Sequence, residues 1–284
     1  MKQILKLSIK RSKIAKLYLS GLSSREVGKK VNLSHAWVLQ LLKKENIERR
    51  LIIPISNPTY KKLTEAKAYL LGVLCGDGCV FSGIEKKKSK FSGKLWHFKS
   101  YIIYLSVADK DFRDEFAKTI EIVYGAKPYL SFIKAKKEKW SDIWTARIKR
   151  KSIYADLTQY KFGTKTWRVP KTIVDSNREK ITSGFLRGFF DSEGSVSIGA
   201  KSKHIRCDST NFKGICQIKK LLNKLEIKAT KISNYKKKNC AKCYYLCILN
   251  IDGITKFYRK VNFSIKRKEA KLIKILNSTK KISV

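Results

Sequence analysis

Two acids in this chain, Asp77 and Glu193, occupy matching settings. Residues 70–80 read LLGVLCGDGCV and residues 186–196 read LRGFFDSEGSV. Each acid closes an apolar run and is followed by glycine, and the spacing is constant, since 193 − 77 and 188 − 72 both give 116. An internal duplication is implied, and with it a chemistry needed twice. A carboxylate at a helix C-terminus opposes the helix dipole at a cost of about 0.3–1 kcal/mol. Two carboxylates held close together repel further. A divalent cation reverses both penalties, because Mg²⁺ (or Mn²⁺) takes hard oxygen ligands. The expected metal set is therefore the carboxylates of Asp77 and Glu193 with helix-end carbonyls at Gly76 and Ser192.

The elements that must position these acids are legible in the same stretches. Gly72 and Gly76 are four residues apart, as are Gly188 and Ser192. Small residues at that spacing give a helix a flat stripe on which a second helix can approach closely. Two duplicated helices would then lie side by side about a pseudo-two-fold axis. The expected pattern is helix, two strands, helix, two strands, helix, repeated. In the first copy the expected elements are a helix over 64–76, strands over 79–83 and 98–107, a helix over 109–124, strands over 127–134 and 143–149, and a helix over 152–161. The lysine-rich stretch EKKKSKFSGK interrupts the first strand pair as an insertion. In the second copy they are a helix over 180–192, strands over 195–200 and 203–209, a helix over 211–225, strands over 228–234 and 243–250, and a helix over 252–261. The stretch WRVPKTIVDSNREKI, with Pro170, connects the copies, and RKEAKLIKILN reads as a closing amphipathic helix.

Strand alternation supplies a surface. Thr145, Arg147 and Lys149 alternate with Trp144, Ala146 and Ile148. Ser195 and Ser197 alternate with Val196 and Ile198, and His204, Arg206 and Asp208 with Ile205 and Cys207. One face of each sheet is thus polar and the other apolar, and two such sheets about a dyad would form a long groove. A merely solvated face is the alternative for any one strand.

Charge decides what such a groove meets. With 64 Lys+Arg against 22 Asp+Glu the 284-residue chain carries a formal net charge of +42. A field of that size is self-repelling and fits a polyanionic partner. Nucleic acid is expected rather than a membrane surface, because no apolar run of about 18 residues occurs and the basic residues are spread along the chain. The first residues lack the uninterrupted apolar core of a signal peptide, which reads as a cytoplasmic, nucleoid-associated protein. Seven cysteines at irregular spacing read as reduced thiols. Three histidines, His35, His97 and His204, lie far apart in sequence, which argues against a clustered-histidine mechanism.

An N-terminal module precedes the repeat. Ser23 and Glu26 have capping-box spacing, Val27 and Val31 repeat at i, i+4, and NLS supplies a turn before a helix that buries Val38, Leu41 and Leu42. This is helix-turn-helix spacing, with His35, Trp37 and Gln40 exposed near the start of the second helix, where base edges would be met. A plain helical hairpin has the same periodicity. The expected boundaries are residues 1–50 for this module, 51–63 for a linker rich in proline, 64–170 for the first repeat and 171–284 for the second.

With these residues in view, LLGVLCGDG and LRGFFDSEG resemble the two motifs of the LAGLIDADG homing endonucleases in their single-chain form, over roughly residues 65–276. The resemblance implies an α+β fold of two αββαββα halves whose motif helices form the interface and whose two antiparallel sheets straddle DNA as a saddle. It implies Asp77 and Glu193 as catalytic, metal-binding acids, and Gly72, Gly76, Gly188 and Ser192 as the helix interface. Thr145, Arg147, Lys149, Ser195, Ser197, His204 and Arg206 fall on the DNA-facing strands. The implied activity is site-specific, metal-dependent cleavage of both strands of a long double-stranded target across the minor groove by a monomer, as in intron or intein mobility. One acid per strand accounts for the duplication, since the two scissile phosphates face each other across a groove about 6 Å wide. The alternative is a nucleic-acid-binding protein on the same fold, an RNA maturase or a DNA-binding regulator, with weak or no cleavage. That alternative is kept open by the strand ends SVADK and DSTN, which put Ala108 and Thr210 where the family often places a lysine, with Lys110 nearby. Cys75 and Asp191, at the sixth motif position, read as structural. Cys240, Cys243 and Cys247 lack the further ligands a zinc site needs and read as a hairpin turn entering a strand. His97 reads as a loop residue in the insertion, and Trp140 and Trp144 as packing under the sheet.

Overall fold

A computed structural model of the chain describes residues 2–48, 54–88, 93, 95–199 and 202–280. Three helices open it: α1 (Lys2–Leu19), α2 (Ser24–Val31) and α3 (His35–Lys44). The module is longer than its periodic core suggested, because α1 begins at Lys2. The Ser23 side chain accepts from the Glu26 backbone N–H while Glu26 accepts from the Ser23 N–H, so the expected capping box forms. Asn32 ends α2 in the left-handed conformation (φ 53°), and the Ser34 side chain caps α3. Ile14, Tyr18, Val27, Val38, Leu41 and Leu42 bury one another in a small core of their own.

The rest is two copies of one plan. The first contains α4 (Glu65–Leu74), β1 (Cys79–Lys88), β2 (Leu95–Val107), α5 (Lys110–Tyr124), β3 (Tyr129–Ile133), β4 (Ile143–Lys149) and α6 (Lys151–Leu157). After a short α7 (Lys171–Val174), the second contains α8 (Glu179–Glu193), β5 (Gly194–Ile198), β6 (Lys203–Ser209), α9 (Phe212–Lys224), β7 (Ser233–Tyr235), β8 (Cys243–Ile248) and α10 (Ile251–Lys260), and α11 (Lys266–Lys280) closes the chain. Two four-stranded antiparallel sheets result, ordered β1-β2-β4-β3 and β5-β6-β8-β7. The identical order is the structural form of the duplication.

Several elements depart from the sequence reading. Strand pairing continues into the lysine-rich insertion as far as Lys88 opposite Leu95. His97 therefore lies on β2 opposite Lys86 and not in a loop, because alternating Trp96, Phe98 and Lys99 extend the ladder; residues 89–92 and 94 of the insertion lie outside the described residues, as do residues 49–53 of the expected linker. Strand β7 is confined to Ser233–Tyr235, and α6 stops at Leu157. The connector is not a tether: Trp167, Val169 and Ile173 are buried, and Trp167 occupies the space above Gly214, where a Cβ would lie 2.4 Å from the ring.

A single apolar core runs through both copies, centred on α4 and α8. Burial of most residues of α4, including Tyr69, Leu70, Leu71 and Val73, makes it a helix apolar all round, which is what a helix covered on every side requires. Lys67 is the exception. Its ammonium is buried and paired with Asp156, whose carboxylate also accepts from Tyr124 Oη at 2.7 Å. Among the described residues no helix is long and apolar enough to cross a membrane.

Candidate metal and nucleic-acid site

The site is built on the seam between α4 and α8. A Cβ at Gly72 would lie 2.1 Å from Phe185 O, and one at Gly188 would lie 2.2 Å from Tyr69 O. Backbone thus rests on backbone, and only glycine fits at either place. Farther along, a Cβ at Gly76 would lie 2.4 Å from Ser192 Cβ and 3.2 Å from Glu193 Cγ. The two motif ends are therefore adjacent, as the stripe of small residues led one to expect. Ser192 Oγ donates to Gly188 O at 3.2 Å, which turns its hydroxyl back onto its own helix.

The two acids meet at this end in unequal settings. Helix α4 stops at Leu74 and Asp77 lies in the following turn, where Gly78 N–H donates to Val73 O at 2.9 Å. Helix α8 continues through Glu193 and passes directly into β5. Asp77 reaches solvent while Glu193 is half-buried. Crowding by protein atoms raises the Asp77 carboxyl above its ordinary range. Burial, then the charges of Asp77 and Asp208, push Glu193 up to about 7. Among the described residues neither acid is held in an ion pair, and no group of three His, Cys, Asp or Glu side chains converges. Two like carboxylates are hard-oxygen donors, the kind that Mg²⁺ or Mn²⁺ accepts.

Lys268 was missed from sequence. It is buried on α11, and its Nζ donates to Phe190 O at 3.2 Å and Asp191 O at 2.6 Å, capping the end of α8 beneath the acids. Burial first, partly offset by Asp191, lowers its ammonium to about 8. A signal existed: Ile265, Lys268, Leu272 and Ile275 form one buried helical stripe, so the lysine stands at a core position. Asp191 is structural, as expected. Its buried carboxylate accepts from Tyr69 Oη at 2.9 Å and from Ser264 N at 3.0 Å, and burial raises it to about 6. Cys75 is buried with Sγ 4.0 Å from Arg168 O.

Ala108 and Thr210 lie just past β2 and β6. Thr210 Oγ1 donates to Thr164 O at 3.2 Å, and Lys110 Nζ lies 5.5 Å from the Trp144 ring, so neither reaches toward the acids.

Each sheet turns its polar face outward as the alternation required. In the first, Thr145, Arg147 and Lys149 oppose Ser106, Tyr104 and Ile102 across the ladder while Ala146 and Ile148 are buried. In the second, Ser195 and Ser197 oppose Arg206 and His204, with Val196 and Ile205 beneath. The first face is less cationic than its sequence suggested. Lys149 Nζ is 2.6 Å from Glu85, and Phe81, Trp96, Phe98 and Tyr129 lie exposed on the same side. The Arg206 guanidinium is fixed twice: its Nη2 is 2.6 Å from Asp208, and its central carbon lies 3.8 Å from the Tyr245 ring centre. His204 Nδ1 and Ser202 Oγ are 2.9 Å apart. Trp144 lies on the core side against Phe132 at 4.2 Å, as expected, whereas Trp140 is exposed beside Lys137 and packs under nothing. The correction has a plain cause, since Trp140 precedes β4 in an irregular turn. Cys240 is exposed in the turn before β8, and Cys243 and Cys247 lie within that strand. On α3, His35, Trp37 and Gln40 are exposed.

The model of the LAGLIDADG-like domain matches residues 180–262, which span α8 through α10. Among curated relatives, the uncharacterized protein MJ0398 of Methanocaldococcus jannaschii is 28% identical over 270 residues, covering 90% of this chain and 86% of that one. A second, uncharacterized protein MJ0314 of the same organism, is 33% identical over 174 residues, and the match covers 59% of this chain and 57% of the relative. Among solved structures, the I-SmaMI LAGLIDADG homing endonuclease bound to cleaved DNA is 14% identical with a TM-score of 0.47, over 78% of this chain and 91% of that one. Two αββαββα halves meeting at a glycine-lined pair of motif helices define a class of fold, that of the LAGLIDADG homing endonucleases. The second repeat of this chain carries a LAGLIDADG-like domain.

Proposed function

We propose that the protein is a site-specific DNA endonuclease that cuts both strands of a duplex with the help of a divalent metal ion. The observation that carries this reading is the adjacency of two unpaired carboxylates at the ends of two helices in backbone contact, between two outward-facing sheets. Asp77 and Glu193, with the backbone carbonyls of Gly76 and Ser192, would hold Mg²⁺ or Mn²⁺. When bound, such an ion supplies Lewis-acid stabilisation of the charge that builds on a scissile phosphate and lowers the pKa of an attacking water. The chain's own groups do the rest. Each carboxylate serves one strand, Lys268 fixes the end of α8 so that Glu193 keeps its position, and Arg206, Thr145, Arg147, Ser195, Ser197 and His204 contact the duplex from the two sheets. In this reading Lys149 contributes less than its type suggests, because Glu85 already holds it. The partner is a long double-stranded target bound by a monomer, with His35, Trp37 and Gln40 of α3 adding contacts beyond the saddle.

A second reading, a nucleic-acid-binding protein on the same fold with weak or no cleavage, is favoured by Ala108 and Thr210, which leave the strand ends without a lysine. A plasmid carrying the DNA that flanks the protein's own coding sequence separates the two. Linear product is expected in Mg²⁺ or Mn²⁺ and none in chelator, and Asp77→Asn is expected to lower double-strand cutting at least about 100-fold while leaving binding within about twofold. Tight binding with intact plasmid in every metal would establish the second reading instead.

A further inference from the structure

A cleft of about 560 Å³ separates the N-terminal module from the first sheet. One wall is made by Ser23, Ser24, Arg25 and His35, and the other by Lys127, Tyr129, Arg147, Lys149 and Arg150. Five basic side chains thus face one opening. Three carboxylates answer three of them: Glu26 pairs with Arg150 Nη2 at 2.8 Å, Glu85 with Lys149 at 2.6 Å and Glu121 with Lys127 at 3.5 Å. Among the described residues neither Arg25 nor Arg147 makes an ion pair, Arg147 lying near Glu85 only at longer range and 5.7 Å from the Tyr129 ring. The Arg150 side chain is only 9% exposed, yet its buried Nη1 donates to no acceptor. A buried guanidinium N–H without a partner is unfavourable, and a cleft lined by arginine is suited to the oxygens of a phosphate.

The position of the cleft selects the ligand. Tyr129, Arg147 and Lys149 are residues of the outward face of the first sheet, on its edge strand β3 and the neighbouring β4. The cleft is therefore the continuation of that face, and a duplex lying along the sheet passes its mouth. We propose that this cleft receives backbone phosphates of the bound duplex beyond the saddle, held by Arg25 and Arg147 with Arg150 tying the two walls together, so that the N-terminal module and the first sheet grip one continuous DNA. The inference rests on the duplex-binding part of the proposed function and is independent of cleavage. It gives the Glu26–Arg150 pair a role, which is to hold the two walls at a fixed separation.

The test is the salt dependence of binding by the full chain to a 40-base-pair duplex of arbitrary sequence, where each phosphate contact adds about 0.9 to the slope of log K against log salt. Arg25→Ala is expected to lower the slope by about one, and Arg25→Ala with Arg147→Ala by about two, with affinity at low salt falling at least about tenfold. Lys220→Ala, on the exposed side of α9, is the control for removal of a charge elsewhere and is expected to lower it less. Arg150→Ala is read beside a thermal unfolding curve, and Arg25, being exposed, tests the cleft without touching a core. If the wild-type chain binds and Arg25→Ala keeps its slope, the cleft assignment is wrong and the saddle stands, since Arg147 belongs to both surfaces. If the wild-type chain binds no duplex, both fall.

Discussion

At the scale of single residues, the two acids are alike in sequence and unlike in environment. Glu193 ends a helix under burial and beside a charged Asp77, and its carboxyl stands at about 7 against an ordinary value of 4.5. Between those two pH values the folded chain holds a proton that the unfolded chain has released, so this group's contribution to stability is present below pH 4.5 or so and is lost as pH rises through about 7. In metal-free protein Glu193→Gln should therefore be no more stable than wild type near pH 4.5 and more stable above pH 7, by about 1–3 kcal/mol. Urea unfolding of both proteins at the two pH values checks this, and a difference independent of pH would contradict it. Added Mg²⁺ should reverse the order above pH 7, since only the wild type gains from binding it. The acids were legible because repetition marks them. Lys268 was not, because nothing local distinguishes a lysine that caps another helix from one that faces solvent; only its place in the Ile265, Leu272 and Ile275 stripe hints at burial.

At the scale of elements, the α4–α8 seam is the least tolerant part of the molecule. A side chain at Gly72 meets Phe185 O, an acceptor fixed in a helix backbone, so the helices must separate to admit it. Gly72→Val is expected to destabilise the chain by about 3 kcal/mol or more and to reduce duplex cutting more than duplex binding, because separation moves Asp77 from Glu193 while leaving each sheet intact; unfolding midpoints and gel-shift titrations on the same preparation check both. The seam followed from the small-residue spacing of the motif helices, and β4 and β6 have the bounds their alternation gave. The extent of the β1–β2 hairpin did not follow. Runs of lysine read as an exposed loop, yet Lys86, Lys87 and Lys88 continue the ladder opposite His97, Trp96 and Leu95. The burial of the connector was also hidden, because the space that takes Trp167 is supplied by Gly214, distant in sequence.

At the scale of the whole molecule, two cores divide the chain unevenly: a small one within α1–α3 and a continuous one shared by both repeats. Calorimetry should resolve a weak transition for the N-terminal module and a single cooperative one for residues beyond 54, since neither repeat can close its core without the other's motif helix. Separate melting of the two repeats would contradict this. The net charge of +42 points to a polyanionic partner and is silent on where it would lie, because the sheets carry aromatic and paired side chains where charge alone was expected. The seam has one more consequence. Gly72 meets a carbonyl of α8 as closely as Gly188 meets one of α4, so each repeat asks the same of its neighbour. A chimaera that exchanges one whole repeat for a related one within the stretch around Pro170 is therefore expected to keep the join undisturbed while replacing one sheet.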